Sequence, residues 1–255
     1  MLELKSKISS KAVIGKNVSI GEYTIIHDNV IIGNNSIIEE FCILGYPTNV
    51  SKGKPLIIGK DSHIRSHCVL YEGSTLGNNL VTGHSVLVRE KTEAGKYLQI
   101  GSQSEIEGAC HIGNYVKIHT GVQISKKTKI GDFVWLYPHV QFTNDPLPPS
   151  IYCEGVIVKD LAVIATSSIL LPGIVVGLSS FVAAGSIVNS DVPDIMCVYG
   201  NPAKTFARID QLINIKYKIS NPWPKHFRDG YPEESFSLMD KLLKKIENLI
   251  KEKKD

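Results

Sequence analysis

The chain has 255 residues, 43% of them hydrophobic and 21% charged, a globular rather than a disordered balance. Twenty-eight Lys and Arg against 25 Asp and Glu leave a net charge of +3, too weak a bias for a nucleic-acid footprint. No window approaches the ~18 apolar residues of a membrane span. The start, MLELKSK, has no apolar stretch after its charges, so no signal peptide is expected and the cytoplasm is the expected compartment. Five Cys with no CxxC spacing argue against a disulfide framework or a zinc finger.

Every sixth residue from Ile8 is aliphatic: Ile8, Ile14, Ile20, Ile26, Ile32, Ile38, Leu44. The series resumes at Ile58 and runs to Phe142, with Thr82 as its one polar member, and again from Val158 to Val188. Glycine often follows the aliphatic, as at Gly15, Gly33, Gly95 and Gly101, where a positive φ would turn a sharp corner. Four residues after the aliphatic sits a small or β-branched side chain, and Cys42, Cys68 and Cys110 share this place as core fillers. Short β-branched strands with corners at fixed spacing predict a parallel β-helix of about nine triangular coils. Periodicity does not give its hand; the crossover rule favours a right-handed path.

Two interruptions fall at GYPTNVSKGKP and TNDPLPPS. They predict loops 45–57 and 143–157 thrown out of the solenoid, places where function concentrates. The repeat ends after Val188, so the prism domain is expected over 1–204 and a small helical region over 205–255. A short helix is expected over 205–219. A longer one is expected from Ser235, where Phe236, Met239, Leu242, Leu243, Ile246, Leu249 and Ile250 keep helical spacing. Its apolar stripe must pack on the prism or on a neighbouring subunit.

Residues 18 apart stack on adjacent rungs. Ser66, His84, Ser102 and Thr120 therefore share a polar column, and Glu72 and Glu90 share another, with Arg65 and Arg89 placed to answer the two carboxylates. The eight histidines include no pair 18 apart, which disfavours a three-His zinc centre, so no metal is expected. No column carries the threonine ladder of an ice-binding prism.

These hexads, over about residues 8–204, resemble the hexapeptide-repeat acyltransferases. The resemblance implies an all-β left-handed parallel β-helix and a homotrimer with active sites between subunits. It also implies acetyl-CoA or another acyl-CoA as cosubstrate. The stretches IRSHCVLYEGSTLG, TGHSVLVRE and FTNDPLPPS, with the closing PWPKHFRDGYPEE, are similar to the branch that N-acylates nucleotide-linked amino sugars. That branch acts on the 3- or 4-amino group of a dTDP- or UDP-deoxyhexose for surface polysaccharides. Two departures separate the chain from the O-acyltransferases of the superfamily. Asn144 stands where their loop histidine is expected, and Glu90 stands where a second catalytic histidine falls in the UDP-N-acetylglucosamine enzymes. A hydroxyl acceptor needs a strong base, whereas a free amine needs orientation and a modest acceptor of its proton.

The expected catalytic groups are His84 and Glu90. Arg65, Glu72, Ser85 and Asn144 are expected against the nucleotide-linked amino sugar, Arg65 because its fork suits phosphate. Coenzyme A is expected along the last coils near Ala165, Ala183 and Gly185, with Lys204 on a phosphate. The alternative is O-acyl transfer with His84 as base.

Overall fold

A computed structural model describes residues 6–217, 219–220, 228 and 230–252. Twenty-eight strands, most of them two residues long, run from Lys7–Ile8 to Ile187–Val188. They wind into three sheets, parallel throughout this run. Sheet A has ten strands and starts at Lys7–Ile8, sheet B has nine and starts at Val13–Ile14, and sheet C starts at Ser19–Ile20 and reaches eleven with two later strands, Met196–Gly200 and Ala203–Arg208, the last of them antiparallel. Each strand pairs with the strand one coil on, as Leu87↔Glu105 and Val88↔Ile106 do.

Each strand points one side chain inward and one outward, the two-residue period of extended backbone. The inward positions are the hexad aliphatics, and Leu44, Ile64, Leu70, Val88, Ile106 and Leu136 are fully buried. Cys42, Cys68 and Cys110 are buried among them. Thr82, the polar exception, is also buried; its Oγ1 accepts the Arg65 N–H at 2.9 Å, so its hydroxyl is satisfied.

The corners differ from the expectation. The left-handed residue of a corner comes three places after the aliphatic and is seldom glycine: Asn17, Tyr23, Asn35, Phe41, His67, Ser85 and His139 all have φ between 55° and 64°. The glycine just after the aliphatic answers a different constraint. A Cβ on Gly33 would lie 2.3 Å from the Lys60 nitrogen, and one on Gly101 would lie 2.3 Å from the His119 carbonyl carbon. Stacked rungs approach too closely there for any side chain.

The three edges carry different attachments. Both interruptions leave sheet A and return in sheet B, after Ile43–Tyr46 and after Gln141–Phe142, so both loops lie on the AB edge. The BC edge carries a ladder of rings, Tyr97 on Tyr115 at 5.3 Å and Tyr115 on Phe133 at 4.8 Å. Helix α1, Phe236–Glu252, packs against this edge through Met239 and Ile246, joining Leu161, Leu178 and Ile195 in a second core. Its apolar stripe thus finds the prism of its own chain.

The helix expected over 205–219 is not formed. Ala203–Arg208 is a strand antiparallel to Met196–Gly200, with Tyr199 opposite Lys204 and Gly200 opposite Ala203. Gly200, Asn201 and Pro202 turn the chain back. The returning strand then covers the last rung of sheet C, an edge that helix would leave open. A short 3-10 turn at Ile209–Gln211 follows. The NPWPKHF stretch, His226 included, lies outside the described residues.

Candidate functional site

Six of the sequence-predicted residues sit on the CA edge, where sheet C strands turn into sheet A: Arg65, His84, Ser85, Ala165, Ala183 and Gly185. His84 is exposed, and its Nδ1 lies 2.9 Å from the Oγ of Ser66 one rung below. Its own N–H donates to Ser102 Oγ at 3.0 Å, one rung above. Three members of the polar column read from the sequence, Ser66, His84 and Ser102, are therefore a bonded stack. Beneath it, Glu39 accepts the Ser66 N–H at 3.0 Å and pairs with His63 Nε2 at 2.8 Å. Burial pushes the Glu39 carboxyl up, but the bonds from His63 and Ser66 outweigh it and hold the group below its ordinary value. Ser85 is the left-handed corner residue, exposed beside His84.

An open groove of about 540 Å³ runs from this edge across sheet C. Arg65, Gln99, Ser102, Lys117, His119 and Trp135 line it. Gly83 and Gly101 leave its floor bare, since neither place can hold a Cβ. The His119 ring stacks on Tyr137 with centroids 4.8 Å apart. Burial, and then the Lys117 ammonium, lower the His119 pKa, which keeps the imidazole neutral and able to accept a proton.

Three more candidates, Glu72, Glu90 and Asn144, sit on the AB edge. Glu72 is 7% exposed and faces loop 45–57 rather than solvent. It accepts the Thr48 N–H at 3.0 Å and Asn29 Nδ2 at 3.4 Å, and Ser51 Oγ donates to it as well. Burial raises its pKa, but these donors hold it below the usual carboxylate value. Glu90 is 3% exposed and is gripped by its neighbour, Arg89 Nη2 to Oε1 at 3.2 Å and Nε to Oε2 at 3.3 Å. Asn144 opens the second loop, and its carbonyl accepts the Glu154 N–H at 2.8 Å. Arg65 and Arg89 lie on different edges, so Arg89 alone answers a carboxylate; their spacing of 24 moves the second arginine one face round the coil. For the same reason His84 and Glu90, six residues apart, occupy neighbouring edges of one coil within the chain.

Towards the last coils the CA edge becomes small. A Cβ on Gly185 would meet nothing within 4 Å, and the carbonyls of Ala165 and Ala183 accept the Ser168 hydroxyl at 2.8 and 3.0 Å. Four rungs separate His84 from Ala165, about 19 Å at ~4.8 Å per rung. Lys204 is exposed on the strand that covers sheet C. Sequence reasoning missed Glu39, His63, Lys117 and His119. Glu39 lies 26 rather than 18 residues before the place that stacks on it, because the first loop inserts eight residues; His63, Lys117 and His119 carried no signal in the repeat.

The family model of the GMPPB C-terminal domain matches residues 1–96, under half of the chain. A 2,3,4,5-tetrahydropyridine-2,6-dicarboxylate N-acetyltransferase of Brevibacillus brevis is 38% identical over 72 residues, 28% of this chain and 30% of that protein. The Clostridium perfringens protein of that name is 38% identical over 63 residues. The chain thus spans under a third of the length of these curated relatives. It superimposes on the Arabidopsis UDP-N-acetylglucosamine acyltransferase with a TM-score of 0.64 at 20% identity, covering 93% of this chain and 80% of that one. The Bacteroides fragilis enzyme of the same description gives 0.56 at 16%, covering 97% and 91%.

The fold is the left-handed parallel β-helix. That corrects the right-handed path favoured by the crossover rule. The rule rests on twisted strands feeding long crossovers. Two-residue strands have almost no twist to transmit, and the left-handed corner residues take over. Among the described residues no group of three or more His, Cys, Asp or Glu is placed to hold a metal ion. No helix among them is long and apolar enough to cross a membrane.

Proposed function

We propose that the protein is an acyl-CoA-dependent N-acyltransferase acting on the amino group of a nucleotide-linked amino sugar. One observation carries the reading: the candidate residues sort onto two edges that flank a single face. His84, Ser85 and Arg65 lie on the CA edge, whereas Glu90, Asn144 and both loops lie on the AB edge. One chain keeps these sets apart. A homotrimer with a cleft between neighbouring prisms would bring the CA edge of one subunit against the AB edge of the next. The fold shared with UDP-N-acetylglucosamine acyltransferases and the sequence likeness to N-acetyltransferases support acyl transfer.

In this reading the acyl-CoA arm lies along the CA edge, past Gly185, Ala183 and Ala165, with Lys204 near a phosphate. The free amine attacks the thioester carbonyl. Its nitrogen then loses a proton, for which the His84 Nε2 is an acceptor, as Ser66 fixes the ring through Nδ1. Asn144 suits the acyl oxygen, a neutral donor aimed at developing charge. The thiolate leaves and takes up the proton. Glu90, held by Arg89, orders the cleft wall rather than moving a proton.

The test is thiol release from acetyl-CoA against dTDP- and UDP-linked amino sugars, serine and a galactoside. Saturable release with one amino sugar, giving a product stable to mild alkali, is the expected result. Release with a hydroxyl acceptor alone, giving an alkali-labile ester, would replace this reading with O-acyl transfer.

A further inference from the structure

We propose that the groove over sheet C is a phosphate site that takes the diphosphate of a nucleotide, with Lys117 and Arg65 as its cations. The inference rests on the transferase reading for its choice of nucleotide, and on the groove itself for the charge. None of the residues lining the groove is Asp or Glu. Neither Lys117 nor Arg65 has a carboxylate partner among the described residues. The groove is thus lined by two cations and no anion.

Two other cavities on the prism are different. A cavity of about 370 Å³ on sheet B has Lys129, Lys159 and Lys245, but also Asp160 and Asp194, and Lys159 is already bonded to Asp194 at 2.9 Å. Another, about 510 Å³, contains Glu93 and Asp132. Of these three, the groove beside His84 is the one with cations and no carboxylate.

The setting of Lys117 sharpens the point. Its Nζ sits 4.6 Å from the Trp135 ring centroid and 4.4 Å from that of Tyr231, and it donates to the Gly230 carbonyl at 3.3 Å. Half-burying an ammonium without an anion is costly, and two ring faces and one carbonyl offset that only in part. Burial accordingly lowers its pKa. A bound phosphate would complete the compensation and stabilise the charged form. Gln99, Ser102 and Thr120 supply hydrogen-bonding groups on the same wall for hydroxyls of a ribose or hexose. Three rungs separate Arg65 from Lys117, about 14 Å of backbone, so a ligand of nucleotide length lying along the groove meets both cations. The bare floor at Gly83 and Gly101 lets the ligand lie against the backbone.

Nucleotide-linked sugars and coenzyme A both carry a diphosphate, so the test has two arms. The full-length protein is titrated calorimetrically with dTDP and UDP in one arm and with coenzyme A in the other. Lys117→Met and Arg65→Met are run beside the wild type, with melts to verify the fold. We expect saturable binding of a nucleoside diphosphate that weakens about tenfold or more in each variant and weakens with salt. Loss confined to the coenzyme arm would assign the same phosphate site to the acyl donor. Unchanged affinities in both folded variants, or no binding of either ligand to the wild type, would overturn the proposal. Lys117-dependent binding without acyl transfer to any acceptor would remove the transferase reading and leave the groove standing. Acyl transfer with unchanged KM in both variants would do the reverse.

Discussion

Replacing Glu72 by Ala should loosen the first loop and cost measurable stability, because the carboxylate is a clamp. It is 7% exposed and receives bonds from Ser51, Thr48 and Asn29, and Ser51 is itself 1% exposed. A hydrogen bond to a charged group contributes about 1.5–3 kcal/mol, and the longest of these, at 3.4 Å, counts least. Against two good bonds stands the cost of burying the charge, so the net loss is about 2–4 kcal/mol. For a chain of this size that is roughly 5–12 °C in Tm. Glu72→Gln keeps the shape and one acceptor and should lose less. The pH dependence has a definite sign. The folded pKa lies below the ordinary value, so the contribution is complete above the ordinary Glu value and is lost as pH falls through the lower folded one. Melts of wild type and Glu72→Ala should therefore converge in acid. Limited proteolysis should cut the variant faster within 47–55. A variant that melts like the wild type at neutral pH, with the loop still protected, would refute the clamp.

Gly101→Ala and Gly185→Ala separate the two uses of glycine. At Gly101 the new Cβ meets backbone at 2.3 and 2.4 Å, which should cost about 2–3 kcal/mol, whereas Gly185, at φ +69° in open space, should lose only about 1 kcal/mol; equal losses in denaturant titrations would count against this. Met239→Ala empties a fully buried place under α1 and should cost about 2–5 kcal/mol, read by chemical denaturation. His84→Ala should lower turnover by roughly 10²–10⁴ with an unchanged melt, and Ser66→Ala by less, since it only orients the ring; an active His84→Ala would shift attention to His119.

The prism was legible because its rule is local: six residues, one inward aliphatic, no long-range choice. Every strand from Lys7–Ile8 to Ile187–Val188 sits on a hexad named from the sequence. The glycine argument failed because sequence shows where a side chain is missing but not why; Gly33 and Gly101 are excluded by the rung above, not by φ. The segment 205–219 reads as a helix because Phe206, Ile209 and Ile213 keep a helical spacing, and the hairpin at Gly200–Pro202 overrides it. Stacking in steps of 18 correctly joined Ser66, His84 and Ser102. The same arithmetic could not bring Lys117 and His119 forward, since their importance comes from what the groove lacks, a carboxylate, rather than from what repeats.

The central claim is that acyl transfer occurs along the CA edge, beside His84. A crystal structure with coenzyme A and a nucleotide-linked amino sugar tests it most directly. The account predicts the pantetheine arm extended past Gly185 and Ala165 with its sulfur next to His84. Coenzyme A lying over sheet B, or with its sulfur remote from His84, would contradict it.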